Sequence, residues 1–124
     1  MAEAREFELV FTRAKGFERR PLPSAPEPAP GEVLVRPKHV GICGSDLFLM
    51  EGQEGELRLG HEWVGVVDRA GAGASAFRPG DSVTSTGTLS CGGCLHCSRE
   101  ETHFCDHAEY LSSDRLGALR SWML

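Results

Sequence analysis

Four cysteines fall at Cys91, Cys94, Cys97 and Cys105, in the run Cys-Gly-Gly-Cys-Leu-His-Cys-Ser-Arg-Glu-Glu-Thr-His-Phe-Cys. Two residues separate the first pair, two the second and seven the last. Four thiolates delivered by so short a segment can close a tetrahedron around one zinc ion, and a closed site of that kind is structural. Gly92 and Gly93 allow the tight turn that brings Cys91 and Cys94 onto one metal. The segment is therefore expected to be a loop that zinc holds in shape.

Other uses of these cysteines fit less well. Disulfides need an oxidising compartment, and residues 1–6 are charged with no apolar signal core behind them. Cys43 makes the count five, which leaves one thiol over in any disulfide scheme. A thioredoxin-like pair opens a helix after a strand, whereas here Gly-Gly fills the gap and a third cysteine follows. A nucleic-acid-binding zinc knuckle needs a histidine at a fixed place that this spacing does not supply. His96, His103 and His107 lie close enough to replace a cysteine, but four cysteines suffice, and the histidines are read as surface residues. Within the loop Arg99 stands against Glu100, Glu101 and Asp106, an acidic balance that binds phosphate poorly.

At 124 residues the chain is long enough for one domain with a modest core. Its net charge of −5 argues against nucleic acid and anionic membrane as partners. No apolar run approaches membrane-spanning length. A cytoplasmic protein with reduced or metal-bound thiols is expected.

Strand signals recur along the chain and helical signals are few. Glu6 to Ala14 is rich in strand formers. Pro21 to Pro30 carries five prolines in ten residues, a stiff extended connector on the surface. Glu32 to Ile42 reads as a long strand in which Pro37 predicts a bend or an edge. Asp46 to Met50 suits a short helix capped by Ser45 or Asp46. Trp63 to Arg69 and Val83 to Thr88 read as strands, with Pro79-Gly80-Asp81 as a turn between them. Ser98-Arg-Glu-Glu101 fits a capping box and predicts one helical turn inside the cysteine loop. Many short strands joined by Gly/Pro turns predict a barrel or a sandwich.

Gly71-Ala-Gly-Ala-Ser-Ala76 matches G-x-G-x-x-A, but a dinucleotide site needs a helix directly after it. Phe77-Arg78-Pro79-Gly80 would end such a helix within a turn, so a small-residue turn between strands is expected. Two further clusters carry metal-ligating residue types: Gly41-Ile-Cys43-Gly-Ser45-Asp46 and Gly60-His61-Glu62. Cysteine, histidine and glutamate with an open position make a catalytic zinc site. Seventeen residues separate Cys43 from His61, and residue types alone equally allow a buried small residue and a satisfied loop histidine.

Taken together, these segments resemble the N-terminal domain of the zinc-dependent medium-chain alcohol dehydrogenases, whose relatives include polyol, sugar and threonine dehydrogenases. The resemblance rests on Pro-Gly-Glu-Val-Leu-Val at 30–35, Gly-Ile-Cys-Gly-Ser-Asp-Leu at 41–47, Leu-Gly-His-Glu-Trp-Val-Gly at 59–65, Arg-Pro-Gly-Asp-Ser-Val at 78–83 and the cysteine loop, in that order. It covers about residues 6 to 105. It implies a mainly β, GroES-like barrel with a protruding zinc-binding loop and few short helices, occupying residues 1–124, without the Rossmann cofactor domain. By the same resemblance Cys43, His61 and Glu62 are ligands of a catalytic zinc, Ser45 relays the alcohol proton, and Asp46 orients the histidine ligand. Cys91, Cys94, Cys97 and Cys105 then hold the structural zinc. Phe48 stands where some members have a histidine that extends the proton relay.

The function implied is oxidation of a small alcohol, polyol or sugar with zinc and a nicotinamide, NAD or NADP. The third protein ligand that the family contributes downstream of this span is not among these residues. The isolated chain is accordingly expected to be inactive. Apolar surface is expected where the cofactor domain docks, which allows a homo-oligomer. The alternative is a stand-alone zinc-stabilised binding module that keeps the fold without catalysis. A reading frame continuing into a strand, Gly-rich turn and helix favours the enzyme.

Overall fold

Alternation of inward and outward side chains builds the first hairpin. In this computed structural model, which describes residues 6–124, β1 (Phe7–Thr12) pairs antiparallel with β2 (Gly16–Pro21), from Phe7 opposite Pro21 to Thr12 opposite Gly16. The charged run read above for its lack of a signal core lies, for residues 1–5, outside the described residues. The sequence pattern did not single out β2, because its side chains alternate only between half-buried and exposed. Phe17 on β2 meets Phe11 edge-on at 5.2 Å between ring centroids. On β1 the inward residues are Val10, fully buried, and Glu8. Arg58 Nε donates to both Glu8 carboxylate oxygens at 3.2 Å, and Arg120 Nη1 stands 4.0 Å away. Burial holds the Arg120 guanidinium below its usual pKa, with Glu8 opposing that shift. Removing either partner would strand a buried charge.

A three-stranded antiparallel sheet follows, in the order β3 (Val33–Gly41), β4 (Glu62–Ala70), β5 (Ser82–Val83). Pro37 acts as expected: β3 lies at the sheet's edge, and the ladder slips where Pro37 faces Gly65 and His39 faces Val64, leaving Lys38 as the extra residue of a bulge. The chain then turns into α1 (Gly44–Gly52). The cap of α1 is Cys43 rather than Ser45 or Asp46, because Asp46 sits one turn inside and its carboxylate accepts the Cys43 N–H at 2.9 Å. Residues 71–76 form turns between β4 and β5 with no helix, as a small-residue turn should.

The run from Val83 to Thr88 is not one strand. Val83 pairs with β4, whereas Thr88 opens β6 (Thr88–Leu89), which pairs with β7 (Glu109–Tyr110) in a separate sheet. Between them Thr84 Oγ1 donates to the Trp63 carbonyl and Thr86 Oγ1 to the Thr88 carbonyl, so hydroxyls take acceptors that a continuing ladder would compete for. The helical turn of the cysteine loop also falls earlier than expected. It is α2 (Leu95–Ser98), capped by Cys94, with a 3-10 turn at Thr102–Phe104. Ser98 Oγ folds back onto the Leu95 carbonyl at 2.7 Å, and Glu100 adopts φ 62, which ends the helix before the expected box can form.

These small sheets are joined by the last residues of the chain. Gly117 N–H donates to the Arg58 carbonyl at 2.8 Å, Ala118 to Gly60 at 2.7 Å and Met123 to Val35 at 3.0 Å; Leu119 accepts from Leu9 at 2.8 Å. Arg120 to Leu124 contributes single bridges, Glu8 with Arg120 and Val35 with Met123. Enclosed by this strap and the sheets lie Val10, Leu34, Leu57, Leu59, Val67 and Ala118, the buried core. The proline-rich connector runs irregularly over the surface, tied down where Trp122 Nε1 donates to the Pro23 carbonyl at 3.2 Å. The result is mainly β with few short helices and a protruding cysteine lobe. No helix among the described residues is long and apolar enough to cross a membrane.

The strap needs glycine on both sides. A Cβ at Gly117 would lie 2.1 Å from the Leu59 carbonyl oxygen, and Gly60 combines φ +106 with a Cβ position 2.9 Å from Ala118 N. Gly117→Ala should cost about 1–3 kcal/mol or more in urea unfolding, since only backbone movement relieves it. Gly52→Ala, at a helix end with nothing within 4 Å, should cost nothing measurable.

Candidate metal centres

Two groups of metal-ligating side chains converge among the described residues. The first gathers where β3 ends and β4 begins. Gly41 and Glu62 face each other across that ladder, and a Cβ on Gly41 would stand 3.0 Å from Glu62 Oε2. Glycine there leaves the carboxylate its place. Cys43 Sγ, an imidazole nitrogen of His61 and a carboxylate oxygen of Glu62 lie within 4.8 Å of one another. Cys43 and His61 are half-buried, and Glu62 is exposed.

Asp46 holds this corner from behind. It is fully buried, and Oδ2 is taken by the Cys43 N–H. Oδ1 stands 3.3 Å from His61 Nδ1, close enough for an ion-pair contact but without hydrogen-bond alignment, so it remains a buried oxygen without a hydrogen bond. A small ring rotation would complete that bond. On the far side His61 Nε2 lies 3.2 Å from Ser45 Oγ. The imidazole is thus turned with Nδ1 toward a carboxylate and Nε2 toward the Ser45 hydroxyl, and a carboxylate behind the ring is the usual arrangement for metal-binding histidines. A cleft of about 300 Å³ opens in front, with Ser45 and His61 at its base and Phe48, Leu49, Tyr110 and Leu111 among its walls. Phe48 is 74 % exposed at the rim. Sequence reasoning noted Phe48 but missed Tyr110 and Leu111, which reach the cleft only through the two-residue pairing of β6 and β7.

The second group is the cysteine lobe. Cys91 Sγ and Cys97 Sγ are 4.0 Å apart, and so are those of Cys94 and Cys105. A tetrahedron with Zn–S bonds of about 2.3 Å has edges of about 3.8 Å, so the donor set fits zinc. Backbone amides already point at the sulfurs: Gly93 N–H at Cys91 (3.5 Å), Cys91 N–H at Cys105 (3.3 Å) and His107 N–H at Cys105 (3.4 Å). Amides of Cys97 and Asp106 lower the Cys94 thiol to about 6, and the Gly93 amide lowers that of Cys91. Desolvation, with Cys94 as hydrogen-bond partner, raises Cys97 to about 11. His96 turns away to Glu101, 3.0 Å distant, which raises its pKa. At the first corner Cys43, His61 and Glu62 are likewise types that zinc accepts, with a buried carboxylate oxygen behind the imidazole.

A family model described as the alcohol dehydrogenase GroES-like domain matches residues 29–124. A sorbitol dehydrogenase from Halalkalibacterium halodurans is 35% identical over 105 residues, covering 80% of this chain and 31% of that protein. An L-threonine 3-dehydrogenase from Coxiella burnetii is 34% identical over 112 residues, 83% of this chain and 33% of that protein. Among solved structures, galactitol-1-phosphate dehydrogenase from Escherichia coli superposes with a TM-score of 0.84 at 26% identity, covering 94% of this chain and 35% of that one. The chain thus spans about a third of the length of the relatives it matches.

Asp46→Ala should destabilise the fold by about 1–3 kcal/mol in urea unfolding, because it removes the acceptor of a helix-capping N–H in a fully buried place. Asp46→Asn, which keeps an acceptor for Cys43, should lose distinctly less. Equal losses would mean that the charge facing His61, rather than the cap, carries the effect.

Proposed function

Since the chain belongs to the alcohol dehydrogenase GroES-like domain family, we propose that residues 1–124 form the metal-side domain of a zinc-dependent dehydrogenase acting on a small alcohol, polyol or sugar. The observation that carries this reading is the meeting of Cys43, His61 and Glu62 in front of a buried aspartate and beside a hydroxyl, apart from a four-cysteine lobe. Cys43, His61 and Glu62 would hold the reactive zinc, and Cys91, Cys94, Cys97 and Cys105 the structural one. Bound at the first corner, zinc supplies Lewis-acid polarisation of a substrate oxygen.

The side chains around it have separate tasks. Asp46, 3.3 Å from His61 Nδ1, would orient the ring. Ser45 Oγ, at the floor of the cleft, receives the proton of the alcohol. Phe48, at the cleft rim, offers no acceptor, so that proton leaves Ser45 by water or by a cofactor hydroxyl. Phe48, Leu49 and Leu111 keep water from the carbon skeleton of the substrate. A nicotinamide, NAD or NADP, would supply the hydride acceptor when bound. Glu62 is the exposed member of the three, able to give way to water or to a further protein ligand.

Metal analysis tests the assignment. The chain purified in zinc should carry one ion that resists mild chelation and a second that is lost readily. Cys43→Ala and His61→Ala should each abolish only the labile ion, while Cys94→Ser should remove the retained one. Loss of both ions on changing Cys43 would sink the two-site reading. Residues 1–124 alone, given alcohol and NAD or NADP, should show no turnover.

A further inference from the structure

Arg120, Trp122 and Met123 of the strap wall a hollow of about 240 Å³ that shares only Leu111 with the cleft in front of His61. Leu116 and Leu124, both about half exposed, add to its apolar lining. Its charged members are Arg115 and Arg120, and no Asp or Glu side chain lines it. Leucine walls with two guanidiniums and no carboxylate suit an anion that carries a hydrocarbon body.

Arg120 is the decisive residue. Its side chain is 8 % exposed, and its Nε is buried without a hydrogen-bond partner among the described residues. The carboxylate that approaches it, Glu8, stays 4.0 Å from Nη1, and both Glu8 oxygens already accept from Arg58 Nε. Arg58 adds a like charge nearby. The guanidinium lies over the Trp122 ring, 4.8 Å from its centre, a contact that offers attraction but no acceptor. Five N–H donors need acceptors once water is removed, and a guanidinium does not escape that cost by losing its charge. Arg115 is more exposed and gives its Nε to Glu109, so it supplies a second, weaker attraction.

We propose that this hollow binds a small organic anion, a monocarboxylate with a short hydrocarbon body, its carboxylate against Arg120 and Arg115 and its carbons along Leu116, Trp122 and Leu124. A carboxylate matches the planar guanidinium fork with two parallel hydrogen bonds. An inorganic anion gains nothing from leucine walls, and a neutral alcohol leaves the guanidinium unanswered. The volume falls below the roughly 300–1,000 Å³ of drug-sized sites, which restricts the ligand to a short acid. The site does not depend on how the metal corner is assigned. It bears on that corner all the same, because Gly117 and Ala118 of the strap hold the segment before His61. A ligand joining Arg120 to Leu116 stiffens that segment.

The test is a titration of the ¹⁵N-labelled chain with hexanoate, 1-hexanol, hexylamine and inorganic phosphate, followed by amide shifts and by the Trp122 indole N–H. Hexanoate should move Leu116, Leu124 and the indole, and bind at least about tenfold tighter than hexanol or hexylamine. Phosphate should leave these signals in place. Arg120→Met, which keeps a long apolar stem, should bring hexanoate down to the level of hexanol. Arg115→Gln, at an exposed position, should weaken hexanoate about two- to fivefold. Leu116→Glu, which sets a carboxylate in the wall, should abolish its binding. These last two keep the test decisive if Arg120→Met does not fold. Equal affinity for hexanoate and hexanol, phosphate shifts at the same signals, or hexanoate affinity indifferent to Arg115→Gln and Leu116→Glu would overturn the proposal. Repeating the titration on Cys43→Ala separates the hollow from the metal corner. An unchanged response at Leu116 and Trp122 supports the hollow, whereas its disappearance, or shifts confined to Ser45 and His61 in the unaltered chain, would place the acid on the metal instead.

Discussion

Residues 117–123 hydrogen-bond to three stretches of chain that would otherwise have little in common. They pair with β1 through Leu119, with the segment before His61 through Gly117 and Ala118, and with β3 through Met123. The segment leading into His61 is thereby fixed relative to β3, which delivers Cys43. Its geometry leaves room for nothing larger than glycine at 60 and 117, since backbone meets backbone there. The sheets are short, two strands or three, and pairs this small are marginal alone. The strap turns them into one body with one core.

Within that body, the buried Asp46 carboxylate couples local folding to the site. One oxygen ends a helix and the other faces an imidazole from a distant strand. A single buried side chain thus both caps the helix and faces His61. Glu8 is a second inward carboxylate, answered by Arg58 and, farther off, Arg120. Both are buried carboxyl groups with named hydrogen-bond partners.

What the sequence disclosed follows from how local each feature is. Four cysteines within one short loop mark a candidate metal lobe by spacing alone. Strands β3 and β4 announce themselves by apolar residues and by Pro37, whose place at a bulged edge follows from its missing N–H. The break between Val83 and Thr88 was hidden, because threonines favour strands by composition yet here spend their hydroxyls on neighbouring carbonyls. Strand β2 was hidden because a surface hairpin needs no apolar period. The convergence of Cys43 with His61 depends on strand register and on the strap, and only the resemblance to a family made it visible beforehand. The pairing of Thr88 with Tyr110 left no signal, since two paired residues are too few to leave a pattern.

From Cys91 to Tyr110 no side chain is buried. A segment without a core places no volume or shape demands on its residues, so its shape rests on the sulfurs, the amides aimed at them and the turns between. Such a lobe can lengthen or change charge at most positions without loss of packing, while its four converging cysteines are its fixed points. Thr102 and His103 of this lobe line a hollow beside the cleft, so that freedom falls there and not on the corner that holds Cys43 and His61.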